Sequence, residues 1–435
     1  MNTRQTLYML AIAGYTNGIH LTSPADFLAQ ISQAKDIAHT CSTAHRRATN
    51  SKYALDFNAV LSGDKKFTDE IFKYEDALFW TDMGQESTSF LKNHTVKWLR
   101  ASDEYSSRTL WGDSINPNDI GQGDVGNCWL MASLSSFGEH PQRVMNAFVN
   151  KTTNANGIYG VNLYRLGVPN TVVIDDYLAV LDHSDRTIYA QLSEDNGLWG
   201  PFIEKAFAKF YGNFHHINGG IPSDAVEVLN GSPSTELLHD NPYNEGIEDL
   251  KSADEVFNML YNNDSKNAIM TTGTPFGEGG DSDQMENGLY KSHAYSVIRA
   301  FVLESTGDKL IEVRNPWGQT DDEYDGGYKG KWHDKDTRWT DALRTEAGHN
   351  VKNDGVFIMD YKEFHASMTE TWINPSTINW KHDYFLKLND KTAVDGRTKH
   401  TITIRNMHDG EQQVHIGAHT YQEYGYGKDY NCDYD

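Results

Sequence analysis

Hydrophobic residues in the first half of the chain recur mainly at helical spacing. In LWGPFIEKAFAKFYG, which starts at Leu198, apolar side chains recur every four residues at Phe202, Ala206 and Phe210, and this period predicts an amphipathic helix. Upstream, GIYGVNLYRLG and NTVVIDDYLAV have the short apolar runs of two strands joined by a turn. The Gly219-Gly220 pair after the helix predicts a hinge between two halves of the chain.

A further helix is predicted to start at Cys128, in the stretch QGDVGNCWLMASL. Leu130, Leu134 and Phe137 would form its buried stripe, because they lie at positions i, i+4 and i+7. Asn127 is a residue type that favours the N-cap position. The cysteine would then occupy the first position of the helix.

The second half of the chain is richer in predicted strands: AIMTTG, HAYSVIRAFVL, KLIEVRN and DGVFIMD. After about residue 376 the runs FLKL, HTITIRNM and QQVHIGAHT alternate between apolar and polar residues, which predicts an antiparallel β-module. About 60 residues remain there, fewer than the roughly 100 of a complete β-sandwich.

These patterns predict an α+β fold, helical in its first half and β-rich in its second. The predicted parts are an N-terminal lead-in (1–75), a first subdomain that carries Cys128 (76–219), a second subdomain (220–375) and the start of a C-terminal β-module (376–435).

Composition narrows the class of partner. The 435 residues are 38% hydrophobic and 23% charged, as in ordinary globular proteins. The net charge of −23 argues against nucleic acid and against anionic membrane surfaces. No stretch approaches the roughly 18 apolar residues of a membrane helix, so no integral membrane segment is predicted.

Cysteine usage indicates a reducing compartment, and the predicted location is the cytoplasm. Cys41, Cys128 and Cys432 are too few and too far apart for a disulfide framework. The alternative is secretion, because the short apolar run LYMLAIAG follows Arg4 near the N-terminus and resembles a weak signal peptide.

Cys128 is the main candidate for chemistry. A thiol at a helix N-terminus feels the positive end of the helix dipole, so its pKa is expected to fall and its thiolate to be a nucleophile. The alternative is a buried structural thiol, the commoner fate of a free cysteine. Gln122, six residues earlier, could supply an amide to an oxyanion hole together with the Cys128 backbone N–H.

A nucleophilic thiol needs a base and a group that orients the base. His293 opens one predicted strand and Asn315 ends the next. In an antiparallel hairpin these two positions lie close together, so we expect His293 and Asn315 to be neighbours. Trp317, after Pro316, is placed to shield a hydrogen bond between them from water.

The stretches QGDVGNCWLMASL, KSHAYSV and VRNPWGQ resemble the three catalytic blocks of the calpain family of cysteine endopeptidases and, more distantly, the papain-like fold. VVIDDYLAV, LWGPFIEKAFAKFYG and DGVFIMDYKEF resemble further calpain blocks in the same order, from about Trp80 to Trp372.

The resemblance implies a papain-like fold of two subdomains. It makes Cys128 the nucleophile, His293 the base, Asn315 the orienting residue, Gln122 the oxyanion donor and Trp317 a shield. It also implies limited cleavage of protein or peptide substrates.

The family usually has Asp before the cysteine, where this chain has Asn127. By resemblance, Asp119 and Glu204 match calcium ligands of the first subdomain, and Asp334 and Asp354 match those of the second. Where the family often has Glu after Asp-Gly, this chain has Val356, and the insertion TDDEYDGGYKG lengthens the loop after Trp317. Calcium (Ca2+) is therefore a candidate cofactor, with a weakened second site as the expectation, since calcium needs six to eight oxygen ligands.

Two alternatives to a protease stay open at this point. One is acyl transfer to an amine, because transglutaminases use a similar Cys-His pair. The other is a catalytically silent, calpain-like scaffold. The sequence makes no prediction of the oligomeric state.

Overall fold

The computed structural model describes residues 6–12, 61–78, 94–165, 167–182, 186–319, 324–377, 380–385 and 414–419. Cys41, Cys432, and most of the predicted lead-in and C-terminal module lie outside these residues.

Helices occur throughout the described part of the chain, most of them in its first two thirds. In chain order they are α1 (Tyr74–Leu78), α2 (Ala101–Glu104), α3 (Cys128–Gly138), α4 (Pro141–Ala147), α5 (Trp199–Tyr211), α6 (Pro222–Asn230), α7 (Ala253–Asp264), α8 (Asp341–Ala347) and α9 (Tyr361–Ser367).

Strands form four sheets in the described residues. In chain order they are β1 (Thr6–Ile12), β2 (Val96–Arg100), β3 (Ile158–Arg165), β4 (Val168–Asp175), β5 (Tyr177–Leu181), β6 (Thr235–Leu238), β7 (Ile269–Gly273), β8 (Ala294–Val302), β9 (Lys309–Arg314), β10 (Val356–Asp360), β11 (Glu370–Asn374), β12 (Trp380–Phe385) and β13 (Val414–His419). The predicted α+β class is confirmed.

The first half, which we define as residues 94–230, is organised around α3 and α5. Helix α3 begins at Cys128 as predicted, but it has no solvent face: every residue from Trp129 to Gly138 is buried. Leu130, Leu134 and Phe137 are buried as predicted, together with the rest of the helix. The helix is enclosed because its other face packs against the sheet of the second half, where Ser136 Oγ donates to Met270 O at 2.7 Å.

The predicted strand pair and the predicted helix after it are confirmed. Strands β3 and β4 are antiparallel, and α5 carries Phe202, Ala206 and Phe210 into the main core. Gly219, in the predicted hinge, has a φ of +83°. Helix α6 follows this glycine pair, yet its Ala225 and Leu229 join the core of the first half. The subdomain boundary at 219 stays a prediction.

The second half, which we define as residues 235–374, is built on one six-stranded sheet. Its strand order is β10-β9-β8-β7-β11-β6, and neighbouring strands are antiparallel. All four predicted strands are present in it. Strands β6 and β11 complete one edge, and a second hydrophobic core lies against the sheet.

The C-terminal strands do not pair as predicted. Strands β12 and β13 both pair with β1, which lies between them, and both pairings are parallel. The predicted antiparallel arrangement is therefore wrong in the described residues. An alternating pattern fixes which side chains share a face, but it does not fix the direction of the partner strand. Strand β1 covers most of the apolar run LYMLAIAG.

In the described residues, none of the helices combines the length and the apolar character that crossing a membrane requires.

Candidate active site

Cys128 is the first residue of α3, where the helix meets the second half of the chain. Asn127 holds the N-cap position, but its side chain makes no capping hydrogen bond. Its Nδ2 instead donates to Glu204 Oε1 at 2.7 Å. The predicted N-cap position is confirmed, but the side chain does not cap the helix: a capping bond would be accepted by Oδ1, and Oδ1 makes no hydrogen bond to the described residues.

The thiol of Cys128 is held in an environment that keeps its proton. Burial, with a smaller contribution from the charge of Asp281, raises the pKa of Cys128 to about 11. Hydrogen bonds from the backbone N–H groups of Ala294 and Trp129 act in the opposite direction and are outweighed. The predicted lowering of the pKa by the helix terminus is wrong for this arrangement, since desolvation exceeds the dipole effect.

His293 and Asn315 are neighbours, as the hairpin of β8 and β9 predicts. His293 Nε2 lies 2.9 Å from Asn315 Oδ1, and both side chains are buried. His293 Nδ1 is also buried, and it makes no hydrogen bond to the described residues. Burial lowers the pKa of His293 to about 4, while the Asn315 hydrogen bond opposes that shift. The imidazole is therefore neutral at pH 7 and can accept a proton.

Cys128 and His293 come from different halves of the chain and meet through one backbone group. The backbone N–H of Ala294, the residue directly after His293 and the first residue of β8, lies near enough to the Cys128 thiol to lower its pKa. Ser292, directly before His293, has a φ of +47°, a left-handed conformation that non-glycine residues rarely adopt. Such strain often accompanies functional sites.

Trp317 lies against the imidazole, as the sequence predicts. Its ring centroid is 4.6 Å from that of His293 and 4.3 Å from that of Tyr290. Its backbone N–H donates to Asn315 Oδ1 at 3.1 Å, and Asn315 Nδ2 donates to Gly326 O at 3.3 Å. Asn315 is thus fixed on both sides of its amide, and the His293–Asn315 bond is covered by aromatic rings.

Gln122 is near the site, but its amide is engaged elsewhere. Its Nε2 donates to Val125 O at 2.8 Å, and its backbone N–H donates to Pro316 O at 2.9 Å. The second contact places Gln122 beside the Asn315–Trp317 segment. One of the two Nε2 hydrogens is thus taken by Val125, and the other is the donor that remains for an oxyanion.

The two carboxylates matched to a first calcium site have separate protein partners. Asp119 accepts hydrogen bonds from the Asn116 backbone N–H at 3.0 Å and from Trp199 Nε1 at 2.8 Å, and burial raises its pKa to about 6. Glu204 accepts from Asn127 and, at 2.8 Å, from the Ala190 N–H, and burial raises its pKa to about 7.

The two carboxylates matched to a second calcium site are also engaged. Asp334 Oδ1 lies 3.1 Å from His349 Nε2, and Asp354 Oδ2 accepts from Asn118 Nδ2 at 2.9 Å. No group of three His, Cys, Asp or Glu side chains that could hold a metal ion occurs in the described part of the chain. The two predicted pairs of ligands, Asp119 with Glu204 and Asp334 with Asp354, stay a prediction, because backbone oxygens could complete each site.

Sequence reasoning missed two residues beside this region. Asp325 accepts hydrogen bonds from the backbone N–H groups of Gly355 and Asp354, and burial raises its pKa to about 7. The sequence feature that could have identified Asp325 is the Asp-Gly-Gly turn in the insertion after Trp317. Arg314, directly before Asn315, is almost fully buried, and nothing in its local sequence marks it.

Comparison with known proteins agrees with the blocks seen in the sequence. A family model described as calpain family cysteine protease matches residues 67–374, a span that includes Cys128, His293 and Asn315.

Among curated proteins, the calpain-type cysteine protease ADL1 of Oryza sativa subsp. japonica is 28% identical over 322 residues, which are 72% of this chain and 14% of ADL1. Calpain-5 of Mus musculus is 27% identical over 300 residues, 63% of this chain and 45% of that protein. The calpain-1 catalytic subunit of Macaca fascicularis is 26% identical over 312 residues, 70% of this chain and 41% of that protein. The chain thus spans less than half the length of these relatives.

Proposed function

The chain belongs to the calpain family of cysteine proteases, and we propose that it is an endopeptidase that cleaves proteins with a Cys128-His293-Asn315 triad. The observation that carries the proposal is the 2.9 Å contact between His293 Nε2 and Asn315 Oδ1. The other ring nitrogen, His293 Nδ1, makes no hydrogen bond to the described residues, so it can accept the proton of the Cys128 thiol. The fold that we propose together with this function is the papain-like fold of two subdomains.

Acylation starts from a thiol and a neutral imidazole. His293 takes the proton of Cys128 as the sulfur attacks the scissile carbonyl carbon, so the high thiol pKa is overcome only when the substrate is in place. Asn315 holds the ring in the tautomer that leaves Nδ1 free to accept. The carbonyl oxygen becomes an oxyanion, which Gln122 Nε2 and the Cys128 backbone N–H stabilise.

Collapse of the tetrahedral intermediate breaks the peptide C–N bond. The leaving amine takes the proton from His293, and a thioester remains on Cys128. A water molecule then gives a proton to His293 and attacks the thioester carbonyl. The second collapse releases the carboxylic acid, and His293 returns the proton to the sulfur. Trp317 keeps bulk water from the His293–Asn315 hydrogen bond during both stages.

Calcium activation is a separate hypothesis, and no step above depends on it. As these carboxylates stand they do not fit a calcium ion, because Asp119, Glu204 and Asp354 accept hydrogen bonds from protein groups and Asp334 faces His349. Binding would require these carboxylates to exchange those partners for the ion. Peptidase activity measured with EDTA and with graded calcium tests this hypothesis, and full activity in EDTA would contradict it.

The triad is tested with casein and with a fluorogenic peptide as substrates. Cys128→Ser and His293→Ala should each reduce the rate by a factor on the order of 10³ or more, because triad members act as a unit. Ser305→Ala is a matched control, since Ser305 is an exposed residue whose hydroxyl contacts Glu346. Parental activity in Cys128→Ser would refute the proposed function. A cytoplasmic location stays a prediction.

A further inference from the structure

The buried guanidinium of Arg314 joins the two halves of the chain. Arg314 belongs to β9 in the second half, but its three nitrogens donate to acceptors in the first half. Nε donates to Asn118 Oδ1 at 3.0 Å, Nη1 to Ser135 Oγ at 3.2 Å and Nη2 to Ile120 O at 2.7 Å. The side chain is 1% exposed. Its hydrogen bonds therefore hold only while the halves stay together.

Asn118 extends this connection back to the second half. Its Oδ1 accepts from Arg314, while its Nδ2 donates to Asp354 Oδ2 at 2.9 Å. The Asn118 amide thus sits between the guanidinium and a carboxylate and uses both of its ends. We call this set of three side chains (Arg314, Asn118 and Asp354) the Arg314 bridge.

The bridge lies next to the proposed catalytic groups from both halves. Arg314 is the residue before Asn315, and Ile120, one of its acceptors, is two residues before Gln122. The Gln122 N–H donates to Pro316 O at 2.9 Å across the same junction. A small shift of one half would move Asn315 and Gln122 relative to each other.

Separation of the halves has a large cost at this point. A small displacement of the halves would take the charged guanidinium away from its three acceptors while the site is still closed to water, and an unpaired buried charge costs far more than an unpaired neutral group. Burial already lowers the pKa of Arg314 to about 10, against the opposing charges of Asp354, Asp325 and Asp119. The bridge therefore favours one relative position of the two halves.

We propose that the Arg314 bridge is a positioning device: it holds the Asn315–Trp317 segment in register with the Gln122 segment by protein contacts alone, with Asp354 acting as a hydrogen-bond acceptor. This inference rests on the proposed function, since the register matters for the triad. A displacement of about 1 Å can cost a factor on the order of 10² in rate. The bridge residues would act through the Asn315 and Gln122 segments, so they are positioning residues.

The test exchanges the two ends of one hydrogen bond. Asn118 is exposed, so Asn118→Ala should fold while it breaks two links of the bridge. Asp354→Asn breaks one link, because Asp354 Oδ1 accepts from the Val356 N–H at 3.1 Å and an amide oxygen that keeps this bond leaves the amide nitrogen facing Asn118 Nδ2. The double variant Asn118→Asp/Asp354→Asn restores both links with the groups exchanged: the new carboxylate accepts from Arg314 and from the new amide.

Two readouts are measured in EDTA on each variant. The first is the kcat and KM of a fluorogenic peptide. The second is hydrogen–deuterium exchange of the Gln122 amide, which reports the junction without any need for activity. Arg299→Met is the matched control, because Arg299 is an arginine of the same sheet that bonds to Glu312 and Ala347 within the second half.

We expect Asn118→Ala and Asp354→Asn to lower kcat about ten- to a hundredfold, with little change in KM and with faster exchange at Gln122. The double variant should recover most of kcat and the slow exchange, and Arg299→Met should leave the exchange at Gln122 unchanged. A double variant as impaired as Asp354→Asn would overturn the proposal, since Asp354 would then act independently of Asn118. If the parental protein hydrolyses nothing either in EDTA or with added calcium, the proposed function fails; in either case the exchange data, which need no activity, decide the bridge.

Discussion

Asn127 Nδ2 donates to Glu204 Oε1 at 2.7 Å directly beneath the start of the helix that carries Cys128, and both side chains are buried. An amide at this position lets the carboxylate of Glu204 accept a hydrogen bond without a second negative charge. Since the related family usually has Asp here, the Asn127–Glu204 contact is a feature of this chain in which an uncharged donor stabilises the site.

Asn127→Asp should destabilise the protein in a pH-dependent way. Two carboxyls in hydrogen-bond contact cannot both ionise, so the pKa of one of them rises further above the value of about 7 for Glu204. A raised carboxyl pKa means that the folded state holds the proton more tightly, and stability then falls as the pH rises toward that pKa. Urea unfolding in EDTA should show a loss of about 1–3 kcal/mol at pH 8 and a smaller loss at pH 5.

Asn127→Ser is the control for this comparison, because it removes the amide without adding a charge. Its loss of stability should be similar at pH 5 and pH 8. If Asn127→Asp also showed equal losses at the two pH values, the missing hydrogen bond rather than charge repulsion would be responsible.

The acid limb of the kcat/KM profile should lie well below the ordinary pKa of histidine. His293 must be neutral to accept the thiol proton, and burial lowers its pKa from 6.5 to about 4. The neutral form is lost only as the pH falls through about 4, so the rate should stay level from about pH 8 to pH 5. A limb near pH 6.5 in the peptide assay would contradict the buried, neutral imidazole.

Folding must be followed in the same experiment. A depressed histidine pKa contributes stability above the unfolded value of 6.5, and that stability is lost as the pH falls toward 4. Far-UV circular dichroism at each pH separates loss of structure from protonation of His293 in the folded enzyme.

Gln122→Ala should lower kcat by a factor of about 10²–10³ if the side chain serves the oxyanion. KM should change little, because the interaction strengthens only in the transition state. Gln191→Ala is a suitable control, since Gln191 Nε2 binds backbone carbonyls of Thr187 and Tyr189. A Gln122→Ala variant with parental kcat would show that the Gln122 side chain does not serve the oxyanion.

Gly220→Ala should be more harmful than a change at its neighbour. A Cβ at Gly220 would lie 2.4 Å from the ring of Trp129, the residue directly after Cys128. The position of this ring is fixed, because its Nε1 donates to Ile217 O at 3.0 Å. We expect thermal unfolding to show a loss of about 1–3 kcal/mol from overpacking. Gly219→Asn is the matched control, because a Cβ there meets nothing within 4 Å and Asn tolerates a positive φ.

Local pattern was enough to predict the pieces of the site. The start of the helix at Cys128, and the hairpin that brings His293 to Asn315, both depend on periodicity and chain direction, which a sequence displays. The direction of β12 and β13 could not be predicted, because strands far apart in sequence leave no local mark of their partner.

The electrostatics of the site depend on burial, which the local sequence does not show. A helix N-terminus predicts a lower pKa for Cys128, whereas the enclosed position of the thiol raises it. For the same reason Arg314 could not be singled out: its importance lies in acceptors contributed by Asn118, Ser135 and Ile120, far away along the chain.

The identity of the nucleophile is the central claim, and covalent labelling tests it most directly. The protein is treated with a peptidyl epoxide, and the modified residue is located by mass spectrometry while peptidase activity is followed. We predict one adduct per chain on Cys128, formed at the rate at which activity is lost, and no comparable adduct in His293→Ala. Full activity with Cys128 completely modified, or loss of activity that follows modification of Cys41 or Cys432 instead, would contradict the account.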